Sequence, residues 1–364
     1  MSMRRPDGRR RTMRRPRWVG RVGIGALMSA ALLAAGCGTQ RDAASSSAST
    51  GKTSGAADNN AVAAALQREG QVAVLDYTYS SASVQAELMA AVLKAFGGDA
   101  KVTPMADIAS SWGALCKANN LVSPEMWKIL YEPQWKEYIQ QKQCVADLEV
   151  ADTKGEEGWY FPTYVMNGDP ARDIRPTCPG LPDWKALNDC AKVFATPETG
   201  NQGQYMSGAK AWGPYYGDPS RIKNLGLDYK LVFAGSEAAL QAEWQRAYER
   251  GKPFLALMWK PHYLTSKYDL TRVEFPKFTP DCWGEGKSYA CNWAEVIIHK
   301  LTSAGFADAY PTAARILKNY DLDNAQIGDI LELVVEQGMT PKDAVAEWMK
   351  ANSKVWQAWG SGAA

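Results

Sequence analysis

Groups able to do covalent or metal chemistry are scarce in this sequence, and aromatic rings are plentiful. The chain has two histidines, His262 and His299. That leaves little room for a Ser-His-Asp site or a histidine-rich metal site. It has no Gly-x-Ser-x-Gly elbow and no Cys-x-x-Cys pair. His299 follows the apolar run Val296-Ile297-Ile298 and reads as structural. Against this stand 14 tryptophans, all but Trp18 beyond the first 36 residues. The negative face of an aromatic ring attracts a cation, by about 0.5 to 2 kcal/mol per ring. Tryptophans are also core residues. Trp184, Trp244 and Trp348 read as core from their helical settings.

The elements that must position these rings alternate short apolar strands with amphipathic helices, the α/β pattern. Gln71–Tyr77 reads as a first strand, Tyr79–Ser83 as a turn, and Val84–Phe96 as a helix with Leu88, Met89, Val92 and Leu93 on one face. Lys101–Pro104 reads as the next strand. Later come a strand at Tyr229–Phe233, a helix capped by Ser236 and ended by Gly251, and a strand at Phe254–Trp259. Asp323 caps one late helix, and Thr340, followed by Pro341, caps the last, with Trp348 and Val355 facing inward.

The first 36 residues hold nine of the chain's 41 basic residues and one of its 39 acidic ones. The remainder carries 32 against 38, a net charge of −6. Nucleic-acid binding, which needs a basic patch, is not indicated. The arginine block, the apolar run Val22–Gly36 and the small residues before Cys37 form an export signal too short to span a membrane. Leu33-Ala34-Ala35-Gly36-Cys37 resembles a bacterial lipobox, so residues 1–36 are expected to be removed and Cys37 lipidated. Residues 37–68 then read as a lipidated cysteine and flexible tether, being rich in Ser, Ala, Gly and Thr. The expected location is the outer face of the cell membrane. Six further cysteines fit an oxidising compartment. Proximity pairs them as Cys116–Cys144, Cys178–Cys190 and Cys282–Cys291, one of fifteen possible pairings.

Three stretches carry a family resemblance. They are Gly158–Val165, then Tyr229–Pro276, and finally Asp343–Met349 with Asn352, Val355 and Trp359. Together they resemble the substrate-binding proteins of ABC importers for glycine betaine, choline and proline betaine. The most specific part is Trp259-Lys260-Pro261-His262-Tyr263, followed by Tyr268-Asp269-Leu270. Glu125-Met126-Trp127 also resembles a Glu-x-Trp of that family. The sequence departs from the family in its first turn, Tyr79-Ser80-Ser81, and over Asp107–Asn120.

The resemblance implies a two-lobe, periplasmic-binding-protein-like α/β fold with a ligand cleft between the lobes. Residues 69–158 and 263–364 would form one lobe and 159–262 the other. The crossings would be Trp159–Val165 and Leu257–Tyr263. It implies an ABC permease as partner, a protein that is monomeric when soluble, and neither cofactor nor metal. A quaternary ammonium has no proton to donate and must be held by aromatic faces. By resemblance Trp259 and Trp127 lead the cage, followed by Trp159, Tyr160 and Tyr164, with Tyr79 and Tyr263 completing it. His262 and the backbone N–H groups at Ser80 and Ser81 would meet a ligand carboxylate; the alternative for His262 is that it caps a turn. Trp212–Gly217 reads as an aromatic loop over the cleft or at its rim. His262 favours glycine betaine or proline betaine, with choline and carnitine as further possibilities; acidic neighbours of the cleft would favour choline. An envelope hydrolase and a solute-sensing partner of a receptor are the competing readings.

Overall fold

Val72, Val74 and Leu75 are almost fully buried, and so is the apolar face of the helix that follows them, including Leu88, Met89, Val92 and Leu93. This strand–helix pair founds the first of two lobes. A computed structural model of the protein describes residues 54–77 and 79–363. The expected export signal, Cys37 and the tether as far as residue 53 lie outside the described residues.

Nine strands are present among the described residues: β1 (Gln71–Asp76), β2 (Asp99–Pro104), β3 (Leu121–Trp127), β4 (Val145–Pro162), β5 (Gly203–Ser207), β6 (Tyr229–Phe233), β7 (Ala256–Lys260), β8 (Leu270–Arg272) and β9 (Val296–Ser303). Their path is β2-β1-β3-β9-β4-β7-β5-β6, with β8 also on β4. β1 lies parallel to β2 and β3, and β5 parallel to β6 and β7. Helices Ser80–Ala95 and Ile108–Lys117 make the crossovers that parallel pairs need.

The 18-residue β4 joins the lobes. Its first half pairs antiparallel with β9, and residues 156–162 pair with β7 and β8. The crossing therefore begins near Gly155, a few residues before the expected Trp159. The return also differs from the expected Leu257–Tyr263. β7 stays in the second sheet, and β8 pairs with β4 at residues 160–162. Val273 N donates to Trp159 O (2.8 Å), and the Phe275 ring meets Trp159 edge-on at 5.4 Å. These contacts hold the chain against the second lobe until β9 re-enters the first sheet at Val296.

The three disulfides are Cys116–Cys144, Cys178–Cys190 and Cys282–Cys291, the pairing expected from proximity. Ser236, Asp323 and Thr340 cap their helices as expected. Trp244 and Trp348 are core, while Trp184 and Val355 pack at its edge.

The tether is shorter than its composition implies. Residues Ser54–Glu69 form a helix in which Val62 and Leu66 are buried. The Glu69 carboxylate accepts from Thr312 N (2.7 Å) and Ala313 N (3.0 Å), capping the helix Pro311–Asn319. Two buried apolar side chains and a cap order a segment whose alanine-rich composition resembles a linker.

Candidate functional site

The register of β4 against β7 sets the base of the cleft. Glu157 pairs with Trp259 and Glu156 with Lys260. Cross-strand partners share a face of the sheet, so Glu157 and Trp259 stand side by side. Both line a small cavity of about 50 Å³ between the lobes.

The first lobe contributes Tyr79 from the turn after β1, Trp127 from the end of β3, Tyr131 just beyond it, Ile108 and Leu130. The second contributes Trp212, Tyr215 and Tyr216 from the turn-rich segment after β5. The rings brace one another: Tyr131 meets Tyr215 across the cleft at 4.9 Å, and Trp212 meets Trp259 edge-on at 5.6 Å. Seven aromatic residues, two aliphatic ones and Glu157 make up the lining, with no lysine, arginine or histidine among them.

Buried carboxylates tune this apolar space. Glu157 is 2 % exposed, and one oxygen accepts from Tyr216 Oη at 2.7 Å. Its Oε2 has no hydrogen-bond partner among the described residues. Desolvation pushes its pKa up to about 8; the Tyr216 bond opposes that rise, and Asp218 and Glu125 add to it. Glu125 lies behind the rings. It accepts from Trp127 Nε1 (2.6 Å), Ser81 Oγ (3.0 Å) and Gln85 Nε2, and its backbone carbonyl accepts from Tyr79 Oη (3.2 Å). One residue thus fixes two rings of the lining. Desolvation raises the Glu125 pKa to about 7 against those donors.

Close approach beneath Trp127 depends on Gly155. A Cβ there would lie 3.0 Å from Trp127 Cζ3 and 2.8 Å from Val296 Cβ. Gly208 plays the same part under Trp212, where a Cβ would fall 2.4 Å from the ring.

Of the residues singled out in the sequence, Tyr79, Trp127 and Trp259 meet at this cavity, and the aromatic loop supplies part of its wall. The others lie elsewhere. Trp159 is fully buried in the second lobe, stacked on Tyr205 at 3.8 Å, with Nε1 donating to Asp218 (2.9 Å). It shares Glu157's face of β4 but sits two residues, about 7 Å, deeper into the lobe. Tyr160 faces the other side, where its hydroxyl bonds Glu156. Tyr164 follows the strand and donates to Lys252 O (2.7 Å). Tyr263 opens onto a different cavity, with Lys267, Asp329 and Glu336.

His262 sits behind Trp259, rings 4.7 Å apart, and does not line the cavity. Its Nδ1 accepts from Leu264 N (3.1 Å), so the neutral ring carries its proton on Nε2. Nε2 faces Gln241 and Glu237 Oε1, at 3.2 and 3.4 Å. The backbone N–H of Ser80, expected to meet a ligand carboxylate, donates instead to Glu237. The carboxylate at that helix start is the protein's own. Ser81 uses its hydroxyl on Glu125.

Ile108, Leu130, Tyr131 and Glu157 line the cavity and were not singled out in the sequence. Glu157 was legible only through register, since it immediately precedes the Gly158-Trp159 block and pairs with Trp259.

A model of the substrate-binding domain of ABC-type glycine betaine transport systems matches residues 70–351. A trimethylamine N-oxide-binding protein of Pelagibacter ubique (strain HTCC1062) is 28% identical over 295 residues, covering 78% of this chain and 89% of that protein. Among solved structures, an ABC-transporter choline-binding protein in complex with choline aligns with a TM-score of 0.62 at 17% identity, covering 80% of this chain and 92% of that one. Lactococcal OpuAC, closed and complexed with glycine betaine, aligns with a TM-score of 0.58 at 20% identity, covering 80% and 100%. At these identities the two structures speak for the fold alone.

Proposed function

Because this chain belongs to the family of substrate-binding domains of ABC-type glycine betaine transport systems, we propose that its cleft captures a small trimethylammonium solute whose polar end is a single oxygen. The family consists of solute-binding proteins, not enzymes, and works with an ABC permease. The observation that carries the finer reading is the lining itself: seven aromatic residues and one carboxyl group, with no cationic side chain. The rings suit the methylated nitrogen. Glu157, with an unpartnered Oε2, suits one oxygen that shares a proton with it. Trimethylamine N-oxide would accept that proton from neutral Glu157. Choline would donate its hydroxyl proton to ionised Glu157. A betaine would bring two carboxylate oxygens and a full negative charge to a lining with one carboxyl group and no cationic side chain, and His262, which favoured betaines in the sequence, faces away. The relative from Pelagibacter supports the N-oxide reading.

The two solutes respond oppositely to pH. With a Glu157 pKa of about 8, N-oxide affinity falls about tenfold between pH 7 and pH 9 as the donor is lost, while choline affinity rises. In Glu157→Gln the amide still donates, so N-oxide binding stays within a few-fold and loses its pH dependence; choline loses its counter-charge and weakens at least tenfold, by the order of one hydrogen bond to a charge. Calorimetric titration of both variants at both pH values tests this. Affinities and pH profiles unaffected by the substitution would remove Glu157 from the account.

The protein works outside the membrane on this reading, held by a lipid on Cys37 and delivering solute to the permease rather than to a receptor. The three disulfides support an oxidising location, and the apolar run ending at Cys37 supports the anchor. Radiolabelled palmitate should enter the wild-type chain and not Cys37→Ser. Equal labelling of the two would rule out this anchor.

A further inference from the structure

Besides the rings, a half-buried polar contact joins the lobes near the cleft, apart from the more exposed Lys267–Glu336 ion pair. Ser80 follows the cage residue Tyr79 and begins the helix Ser80–Ala95 of the first lobe. Glu237 begins the helix Glu237–Glu249 of the second, capped by Ser236. Although 157 residues apart, they meet twice: Ser80 N donates to Glu237 Oε2 (2.9 Å) and Ser80 Oγ to Glu237 Oε1 (2.6 Å). Glu237 is 8 % exposed. Its own lobe aims it, since Gln241 Nε2 donates to Oε1 (2.9 Å) and His262 Nε2 stands 3.4 Å from the same oxygen. His262 in turn packs on the cage ring Trp259.

We infer that the Glu237–Ser80 pair is a latch that sets how long the closed cleft retains its solute, an inference that rests on the solute-binding reading above. The residues that join the lobes adjoin cage rings on opposite sides: Tyr79 precedes Ser80, and Trp259 touches the histidine that faces Glu237. A solute that draws Tyr79 and Trp259 together therefore also brings Glu237 to the start of the facing helix. There a carboxylate meets an amide without an intrahelical acceptor and the positive end of the helix dipole. Water satisfies both groups once the lobes part. Open and closed forms interconvert without solute and solute favours the closed one, so the latch is sampled in the free protein and acts chiefly on dissociation once solute is bound.

The test uses residues 51–364, the compact unit, with trimethylamine N-oxide and choline as probes in stopped-flow tryptophan fluorescence. Glu237→Ala should raise the dissociation rate about tenfold, the scale of a hydrogen bond to a charged group, with association and melting temperature unchanged. Ser80→Ala keeps the amide bond and should raise it about threefold. Glu237→Asp keeps a negative charge in its own helix but is one methylene too short to span the gap; it should behave like alanine in dissociation and like wild type in melting. Hydrogen exchange of the Ser80 amide without solute supplies a second readout, since Glu237 is its acceptor. It should quicken in both Glu237 variants. Failure of the wild-type protein to bind either probe would overturn the solute reading, while the Ser80 amide would still test the latch. Dissociation rates or Ser80 protection equal to wild type in Glu237→Ala would overturn the latch.

Discussion

Residues of one type divide sharply by place in this protein. Trp259 and Trp159 stand on neighbouring paired strands, β7 and β4, and both belong to the stretches that carry the family resemblance. Trp259 faces the cavity beside Glu157, whereas Trp159 is sealed against Tyr205 and Asp218. Alanine at Trp259 should weaken solute binding about 10- to 30-fold, the upper range for one ring in a desolvated cage, and, because the ring is buried against Trp212 and His262, should lower the melting temperature as well. Alanine at Trp159 removes a core side chain and should cost about 3 to 5 kcal/mol of stability. Titration and thermal melts of the two variants separate these outcomes; Trp159→Ala melting like wild type would contradict the assignment. Which tryptophan lines the cleft was partly legible in the sequence, because a ring at the end of a strand in an α/β fold faces the cleft. For His262 the turn-capping alternative was legible and is what the structure has, its Nδ1 accepting from Leu264 N at the start of Tyr263–Lys267; the role toward a ligand carboxylate came from the resemblance.

At the scale of elements, β4 does most of the positioning. It carries Glu157 into the cavity and passes Gly155 beneath Trp127. Gly155→Ala would force its methyl to within 3.0 Å of the Trp127 ring and 2.8 Å of Val296. Trp127 would then tilt and strain its bond to Glu125. Affinity should fall several-fold, against a stability loss of about 1 to 3 kcal/mol for overpacking. A crystal structure or fluorescence spectrum with Trp127 unmoved would contradict this. Helix caps and the strands Tyr229–Phe233 and Gln71–Asp76 were readable because local chemistry sets them: Ser, Asp and Thr before apolar-periodic runs, and short β-branched stretches. The lobe crossings were not. β8 holds to β4 by only three paired residues, Tyr160–Pro162 with Leu270–Arg272, so the chain's late return at Val296 has no periodic signature. The helix Ser54–Glu69 hid for the same reason. Its order comes from burial of Val62 and Leu66 and from the Glu69 cap, which are tertiary facts.

For the whole molecule, the fold and the aromatic lining are two halves of one device. On the proposed function, neither lobe alone would enclose the cation. Tyr79, Trp127 and Tyr131 come from one, Trp212, Tyr215, Tyr216 and Trp259 from the other, and Glu157 stands where β4 passes between them. Enclosure strips water from the methyl groups, and that desolvation gives each ring its worth. A few engaged rings then supply several kcal/mol toward the roughly 8 kcal/mol of a micromolar complex. The disulfides lie outside the lining, which is left to noncovalent contacts.

The most direct test is calorimetric titration of residues 51–364, with all three disulfides intact, against trimethylamine N-oxide, choline and glycine betaine at pH 7. The account predicts saturable binding near micromolar affinity to trimethylamine N-oxide or choline, with glycine betaine weaker than the better of the two. Absence of heat with all three, or glycine betaine binding most tightly, would contradict it.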